Sequence, residues 1–338
     1  MTGGHEPLNE DHPRDLVISI VSWNTADLLR ECLHSLRRHT DAAGTHIVVV
    51  DNASSDGTPE MVRSEFPEVT LIESGGNLGF GKAHNLVSLA TREPFVLFLN
   101  PDTEFVDGVQ ERMMEVMRKH SDTALVGCRM VNLDGSVQQL GWQWHTSPWT
   151  ELVSNLVACS AASGLVRRIL PWHDPLKDGF VRKLYGGCLL ARRSALDQIG
   201  WFDERFFMYG EDVDLSRRVE TSGWRLFYLS SAHVIHLCGG ASAKAPGRFA
   251  TLMQCESISR LMTKYYGPAG RVCYSATVLL RAIIRLSVIA VACMIYRSLK
   301  PSRSQQWENA LQKQVAALQW SLGLARPSIP GLSPEVTQ

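Results

Sequence analysis

Leu16-Val-Ile-Ser-Ile-Val-Ser22, broken by Trp23-Asn24-Thr25, and His46-Ile-Val-Val-Val50, broken by the polar loop Asp51-Asn-Ala-Ser-Ser-Asp56-Gly57, decide the fold. Each is a β-branched run that stops abruptly at turn-forming residues. A run with no polar alternation reads as a strand buried on both faces, the situation of a parallel sheet covered by helices. Between the two runs, Leu28, Leu29, Cys32, Leu33 and Leu36 recur on one side of a helix. Residues 69–72 and 95–99 repeat the apolar pattern, and the latter closes at Asn100-Pro101-Asp102. Strands alternating with helical stretches predict an α/β architecture, a sheet with helices on both faces. Such sheets bind ligands beyond the carboxyl ends of their strands. Asn24, Asp51 and Asp102 close three of the runs, so they are expected to converge on one crevice.

Working outward, the second half is less regular. Residues 183–191 read as a strand containing the pair Gly186-Gly187, residues 201–218 as an aromatic and acidic stretch leading into a helix, and residues 224–229 and 232–236 as two short strands. Trp142, Trp144 and Trp149 cluster in a stretch without clear pattern, and no internal repeat is found. Residues 272–296 are apolar but interrupted by Arg281 and Arg285, leaving uncharged runs of nine and eleven residues, whereas a spanning helix needs about 20. This reads as a helix lying in a membrane interface with both arginines toward the headgroups, or as an amphipathic helix on the domain surface. Residues 305–322 form a further amphipathic helix, with Trp307, Leu311, Val315, Leu318 and Leu322 on its expected packing stripe.

The chain has 338 residues, 45% of them apolar and 20% charged, with 34 basic and 34 acidic side chains. This is a globular composition with a sizeable core, and its balanced charge gives no sign of a nucleic-acid partner. The balance is uneven along the chain. Residues 241–338 hold twelve Lys and Arg against three Glu, a net +9, which leaves −9 for residues 1–240. An acidic body suits a cation site and a basic tail suits an anionic surface. The eight cysteines show no zinc-ligand spacing and read as reduced thiols of a cytosolic protein. Residues 1–14 are polar and read as a disordered lead-in rather than a signal peptide.

Several stretches carry chemistry. Asp51 suits the imide N–H of a pyrimidine or a ribose hydroxyl, and taken alone it also reads as a turn aspartate. Asp102 suits Mg2+ or Mn2+ bridging a diphosphate, and Asn-Pro-Asp is equally a turn sequence. The glycines of Gly75-Gly76-Asn77-Leu78-Gly79-Phe80-Gly81 allow close approach to a nucleotide, but Gly79-x-Gly81-x-x-His84 is neither a dinucleotide fingerprint nor a Walker loop. Glu211, Asp212 and Asp214 begin a helix, where they complement its dipole or supply a general base. His236 is a metal ligand, a phosphate contact or a structural histidine.

Together these stretches resemble glycosyltransferase family 2, with its GT-A fold, and within it the rhamnosyltransferase-like members. The resemblance covers about residues 16–242. It rests on Val21-Ser-Trp-Asn24, the loop from Val50 to Gly57, Asn77-Leu-Gly79 with Asn85, Asn100-Pro-Asp102, Gly186-Gly187, and Gly200-Trp-Phe-Asp203-Glu204 running to Glu211-Asp212-Val-Asp214. The resemblance implies that Asp51 binds the donor's base, with Asn24, Asp56, Asn77, Gly79, Asn85 and Asn100 around the nucleotide. Asp102 matches the second acid of the metal motif, Asn100 replaces the first, and His236 and Ser242 match a late motif near the diphosphate. Asp212 matches the catalytic base with Glu211 beside it, and Trp201 and Gly187 border the acceptor. The implied activity is an inverting, Mg2+- or Mn2+-dependent transfer from a nucleotide-diphosphate sugar, foremost dTDP-L-rhamnose, to a lipid-linked or polysaccharide acceptor in cell-wall, O-antigen or glycolipid synthesis. Galactofuranose, mannose and N-acetylhexosamine donors, and a non-catalytic scaffold, are the alternatives. The expected layout is a catalytic domain over 15–245 (nucleotide half 15–130, acceptor half 131–245) and a helical, membrane-associating tail over 246–325, with 326–338 disordered. The enzyme is expected to be cytoplasmic and peripheral at the inner face of the cell membrane.

Overall fold

The computed structural model describes residues 14–41, 44–138, 145–158, 174–237, 247–296 and 304–328. Trp142, Trp144, Ser242 and most of the two expected disordered termini lie outside these residues.

The first half follows its hydrophobic pattern. Strands β1 (Leu16–Ser22), β2 (Thr45–Asp51), β3 (Thr70–Glu73) and β4 (Phe95–Leu99) alternate with helices α1 (Ala26–His39), α2 (Thr58–Glu65) and α3 (Phe80–Ala90). β1 runs parallel to both β2 and β4, and β2 to β3. The continuous apolar runs have the expected cause. Ile18, Ile20 and Leu97 pack on one side with α1 and α2, while Val17, Val48 and Phe98 pack on the other with α3.

The second half departs from the expected parallel sheet. Among the described residues the sheet has nine strands in the order β3-β2-β1-β4-β8-β6-β9-β5, with β7 also on β9. After the two-residue β5 (Thr103–Glu104) come α4 (Val109–Lys119), β6 (Thr123–Val131), α5 (Pro148–Ala158) and β7 (Gly179–Val181). Then follow β8 (Cys188–Arg192), α6 (Arg193–Ile199), α7 (Glu211–Thr221) and β9 (Arg225–His236). β8 is antiparallel to both β4 and β6, so the sheet is mixed. The strand expected over 183–191 begins only at Cys188, because Gly186 gives its N–H to the Asp212 carboxylate rather than to a ladder. The two short strands expected over 224–236 are one strand. Its partner β6 shifts register between Cys128 and Arg129, and Asp178 Oδ1 accepts the freed Ser230 and Ser231 N–H groups at 2.6 and 3.2 Å.

The tail is helical as expected but differently disposed. Helix α8 (Gly247–Tyr296) is kinked where Gly267 (φ 65°) precedes Pro268, and α9 (Ser304–Ser321) packs back on it. The buried stripe of α9 is Ala316, Ala317 and Trp320 against Leu252, Tyr274 and Val278; Leu311 and Leu322 of the expected stripe are exposed. The first arm of α8 is bolted to the catalytic half. Lys264 Nζ bonds the fully buried Asp214 carboxylate, which also accepts from Tyr265 Oη and Arg218 Nε, each at 2.7 Å. Ser257 Oγ reaches the Met208 carbonyl at 2.7 Å.

One helical segment, Arg248–Ala290, is long and apolar enough to cross a membrane by length and composition, with a window of mean hydropathy 1.7 that is 28% buried. The window reaches this value despite its arginines because their neighbours are strongly apolar. The faces of the second arm are unequal. Val272, Leu280 and Ile283 are exposed, whereas Tyr274, Val278 and Ala282 are buried.

Candidate active site

The ends of β1 and β4, the loops after β2 and β3, the Gly186-Gly187 turn, the start of α7 and both arms of α8 enclose a cavity of about 540 Å³. Local sequence explains the convergence. Apolar strands end where polar turn residues appear, so Trp23, Asn52 and Asn100 emerge side by side on the cavity wall. Gly79 also lines it, at φ 80°, where a Cβ would lie 2.2 Å from the Phe207 carbonyl oxygen. Only glycine allows that approach, through which Phe80 N–H bonds the same carbonyl at 2.8 Å. Tyr209 (φ 68°) and Gly210 (φ 86°) form the sharp turn that aims the first residues of α7 into the cavity.

Asp51, expected to converge with Asp102, is 1% exposed at the end of β2 and is not among the residues lining the cavity. Its Oδ2 accepts the Ser54 N–H at 3.0 Å, while Oδ1 is buried with no hydrogen-bond partner among the described residues. A buried carboxylate oxygen without a donor is costly, and a ligand N–H or O–H would satisfy it. Asn77 lines the cavity and accepts the Gly79 N–H at 3.1 Å.

At the end of β4, Asp102 is 5% exposed, and its Oδ1 lies 3.4 Å from His236 Nε2. Asn100 Nδ2 faces the same nitrogen at 3.2 Å. His236 Nδ1 donates to Gln138 Oε1 at 2.9 Å, an orientation fixed because the Gln138 amide NH2 serves the Asn132 side-chain oxygen and the His236 carbonyl. In the Nδ1–H tautomer Nε2 is the acceptor, facing Asn100 Nδ2 and Asp102, the orientation that second partners impose on metal-binding histidines. One carboxylate and one imidazole fit a divalent ion that shares its other positions with phosphate oxygens and water. Among the described residues no three His, Cys, Asp or Glu gather as a self-sufficient metal cage. Gly187 permits this packing, since a Cβ there would meet Met130 Sδ at 2.6 Å and the His236 ring at 3.7 Å.

Asp212 lines the cavity on the other flank of the same turn, its Oδ2 accepting the Gly186 N–H at 3.1 Å and its Oδ1 the Val213 N–H at 2.7 Å. Burial raises its carboxyl above the usual range. Glu211 is pushed up to about 8 by burial and by the neighbouring Asp212 charge. At neutral pH Glu211 thus holds a proton.

Other expected positions fall outside the cavity wall. Asn24 Oδ1 accepts the Ser55 N–H at 2.7 Å, and Asp56 accepts the Ala26 and Thr58 N–H groups at 2.9 and 3.3 Å, so both brace the loop after β2 and the starts of α1 and α2. Asn85 clamps both backbone groups of Phe202, at 2.9 and 3.0 Å. Trp201, expected at the acceptor, packs instead against Phe98 and beneath Arg193, because α6 carries it to the sheet face. His84 is buried beside Ser19 Oγ and pushed down to about 3 by burial, a neutral core residue. Arg281, expected to face headgroups, lines the cavity instead. Lys183, Glu151, Tyr185 and Tyr274 join it there. None of these five was singled out from sequence as a site residue, because no local spacing links segments that only tertiary packing brings to Asp212.

Comparison with known proteins agrees with this geometry. Residues 17–169 match the model of Glycosyl transferase family 2. The chain is 31% identical over 258 residues to the N-acetylglucosaminyl-diphospho-decaprenol L-rhamnosyltransferase of Mycobacterium tuberculosis, covering 68% of this chain and 78% of the relative. It is 26% identical over 226 residues to the rhamnosyltransferase WbbL of Escherichia coli K12, covering 65% and 82%. In fold it is similar to the mannosyltransferase PcManGT of Pyrobaculum calidifontis, solved with GDP-Man and Mn2+, with a TM-score of 0.54 and 16% identity over 92% of this chain and 88% of that one. A nine-stranded mixed sheet with its acids gathered at the strand ends, and a relative this similar over most of its length, lead to one conclusion: the chain belongs to glycosyltransferase family 2 and is a glycosyltransferase of the GT-A fold.

Proposed function

We propose that the protein transfers L-rhamnose from dTDP-L-rhamnose, with inversion, to the sugar of a lipid-linked acceptor at the cytoplasmic face of a membrane. The carrying observation is that Asp102, its neighbour His236 and Asp212 line one cavity on either flank of the Gly186-Gly187 turn. Asp51 Oδ1 accepts from the donor's pyrimidine ring, and Asn77 and Gly79 border the nucleotide. Asp102 and His236 hold Mg2+ or Mn2+, which when bound supplies charge neutralisation to a diphosphate. Asp212 takes the proton of the acceptor hydroxyl, whose oxygen attacks the anomeric carbon opposite the nucleotide as the bond from that carbon to the diphosphate oxygen breaks and dTDP leaves. Two backbone N–H groups fix the Asp212 carboxylate. Glu211, carrying a proton, keeps a second negative charge out of its surroundings. The rhamnosyltransferase relatives support the donor, and the name of the mycobacterial relative supports a diphosphate-lipid acceptor.

The catalytic unit in this reading extends beyond residue 245, because Tyr274 and Arg281 of α8 complete the cavity. The second arm of α8 lies along the bilayer rather than across it. Its inner face is committed to the cavity and to α9, while Val272, Leu280 and Ile283 offer an uncharged outer stripe. The net +9 of residues 241–338 suits anionic lipid.

The test is a panel of nucleotide sugars in thermal shift with and without Mn2+, followed by transfer assays. dTDP-L-rhamnose is expected to raise the Tm most, and more with metal. Asp212→Asn is expected to lower the transfer rate by about 10²–10⁴ while keeping donor binding. A normal rate in that variant removes Asp212 as the base, and selective stabilisation by another nucleotide sugar replaces the donor.

A further inference from the structure

We propose that Lys183 and Arg281 form a subsite for the diphosphate group of the acceptor, the link between its sugar and its lipid. This rests on the reading of Asp212 as the base that meets the acceptor.

Two groups of side chains flank the Gly186-Gly187 turn, one joined by contacts and the other by charge across the cavity. One runs from Asp102 through His236 to Gln138 and serves the donor. The other starts at Asp212, whose charge is felt by Lys183; Lys183 also feels Glu151, and Glu151 feels both Lys183 and Arg281. All four side chains line the same cavity. Lys183 comes from the segment before β8 and Arg281 from the second arm of α8, so two cations reach one enclosed space from separate elements. Burial lowers the Lys183 ammonium, so holding it there is costly. Glu151 and Asp212 offset that cost in the protein alone.

A neutral sugar hydroxyl needs no such pair, whereas a diphosphate does, and a guanidinium matches phosphate oxygens in a two-pronged contact. The placement of Arg281 fits the order of groups in a lipid-linked sugar. On the second arm of α8, Val272, Leu280 and Ile283 form the exposed apolar side, and Arg281 with Tyr274 the cavity side. A lipid lying against the outer stripe brings its phosphates around the helix to Arg281 and its sugar on toward Asp212.

The experiment compares two probes carrying the same N-acetylglucosamine, farnesyl-diphosphate-linked and farnesyl-linked through oxygen alone. Equilibrium binding to the full-length protein is measured without donor. The wild type is expected to prefer the diphosphate probe at least tenfold, about 1.4 kcal/mol. Arg281→Gln and Lys183→Gln are each expected to shrink that ratio to about threefold or less, a loss of about 0.7 kcal/mol or more. Arg281→Lys, which keeps the charge, should retain part of it. No preference in the wild type, or an unchanged ratio in both glutamine variants, overturns the subsite. Equal weakening of both probes also overturns it, since that marks cations that only support the cavity. Donor turnover is measured separately by nucleotide diphosphate release. A wild type that binds the diphosphate probe selectively but consumes no nucleotide sugar refutes the proposed function and leaves the subsite standing.

Discussion

Glu211 and Asp212 are adjacent in sequence and both enter the cavity as buried carboxyls. Burial raises both, and the charge of the second is borne at the expense of the first. This has a consequence for stability. In the folded protein Glu211 holds its proton up to about 8, against an ordinary value of 4.5. Between these values the folded state binds a proton that the unfolded chain has released. Stability therefore falls as pH rises from 4.5 through about 8. Glu211→Gln is expected to flatten the fall of Tm over this interval in a thermal melt series; an unchanged slope places the titrating group elsewhere. Gly79 supplies a second prediction at this scale. Gly79→Ala puts a methyl 2.2 Å from the Phe207 carbonyl in a left-handed backbone region. It is expected to cost about 2 kcal/mol or more in urea unfolding and to weaken nucleotide-sugar binding, because the displaced loop is cavity wall.

Among the elements, α7 and the first arm of α8 are held by charge as much as by apolar contact. The Asp214 carboxylate is wholly buried and satisfied by Lys264, Tyr265 and Arg218. Removing Lys264 leaves the buried charge to Arg218 and Tyr265 and deletes one hydrogen bond to a charged group, typically worth about 1.5–3 kcal/mol. Lys264→Met is expected to destabilise by about that much in denaturant and, since Asp212 sits two positions before Asp214 on the same helix, to lower transfer as well. A loss of activity without loss of stability would mean that Lys264 acts on the site rather than on the packing. The outer stripe of α8 is tested separately. The double substitution Val272→Asp, Ile283→Asp is expected to reduce sedimentation with anionic vesicles severalfold, because two charges on an exposed apolar stripe oppose insertion.

For the whole molecule, the tail is cavity wall in the structure and membrane anchor in the proposed function. Deleting residues 270–338 removes Tyr274 and Arg281 from the cavity together with the apolar stripe. The shortened protein is expected to keep stabilisation by nucleotide sugar, to lose transfer to lipid-linked acceptor, and to stay in the supernatant with vesicles. Retained pelleting would place the membrane contact in the catalytic half.

Much of the first half of the fold was legible along the chain. β1 to β4 and the polar residues closing them are local patterns, because a strand buried on both faces must be apolar throughout and must end where the backbone turns to solvent. Asp102 and Asp212, singled out by position and by motif, do line the cavity, whereas Asp51 does not. The mixed direction of the sheet was not legible, since a strand's direction depends on its neighbours and not on its own residues. Nor was the fate of similar side chains legible. Asn24, Asp56 and Asn85 bind backbone, while Asn77 and Asn100 line the cavity, and only the packed loops distinguish them. Arg281 shows the limit most clearly: in sequence it interrupts an apolar helix, and its direction was decided by the docking of that helix on a domain whose Asp212 lies 69 residues earlier.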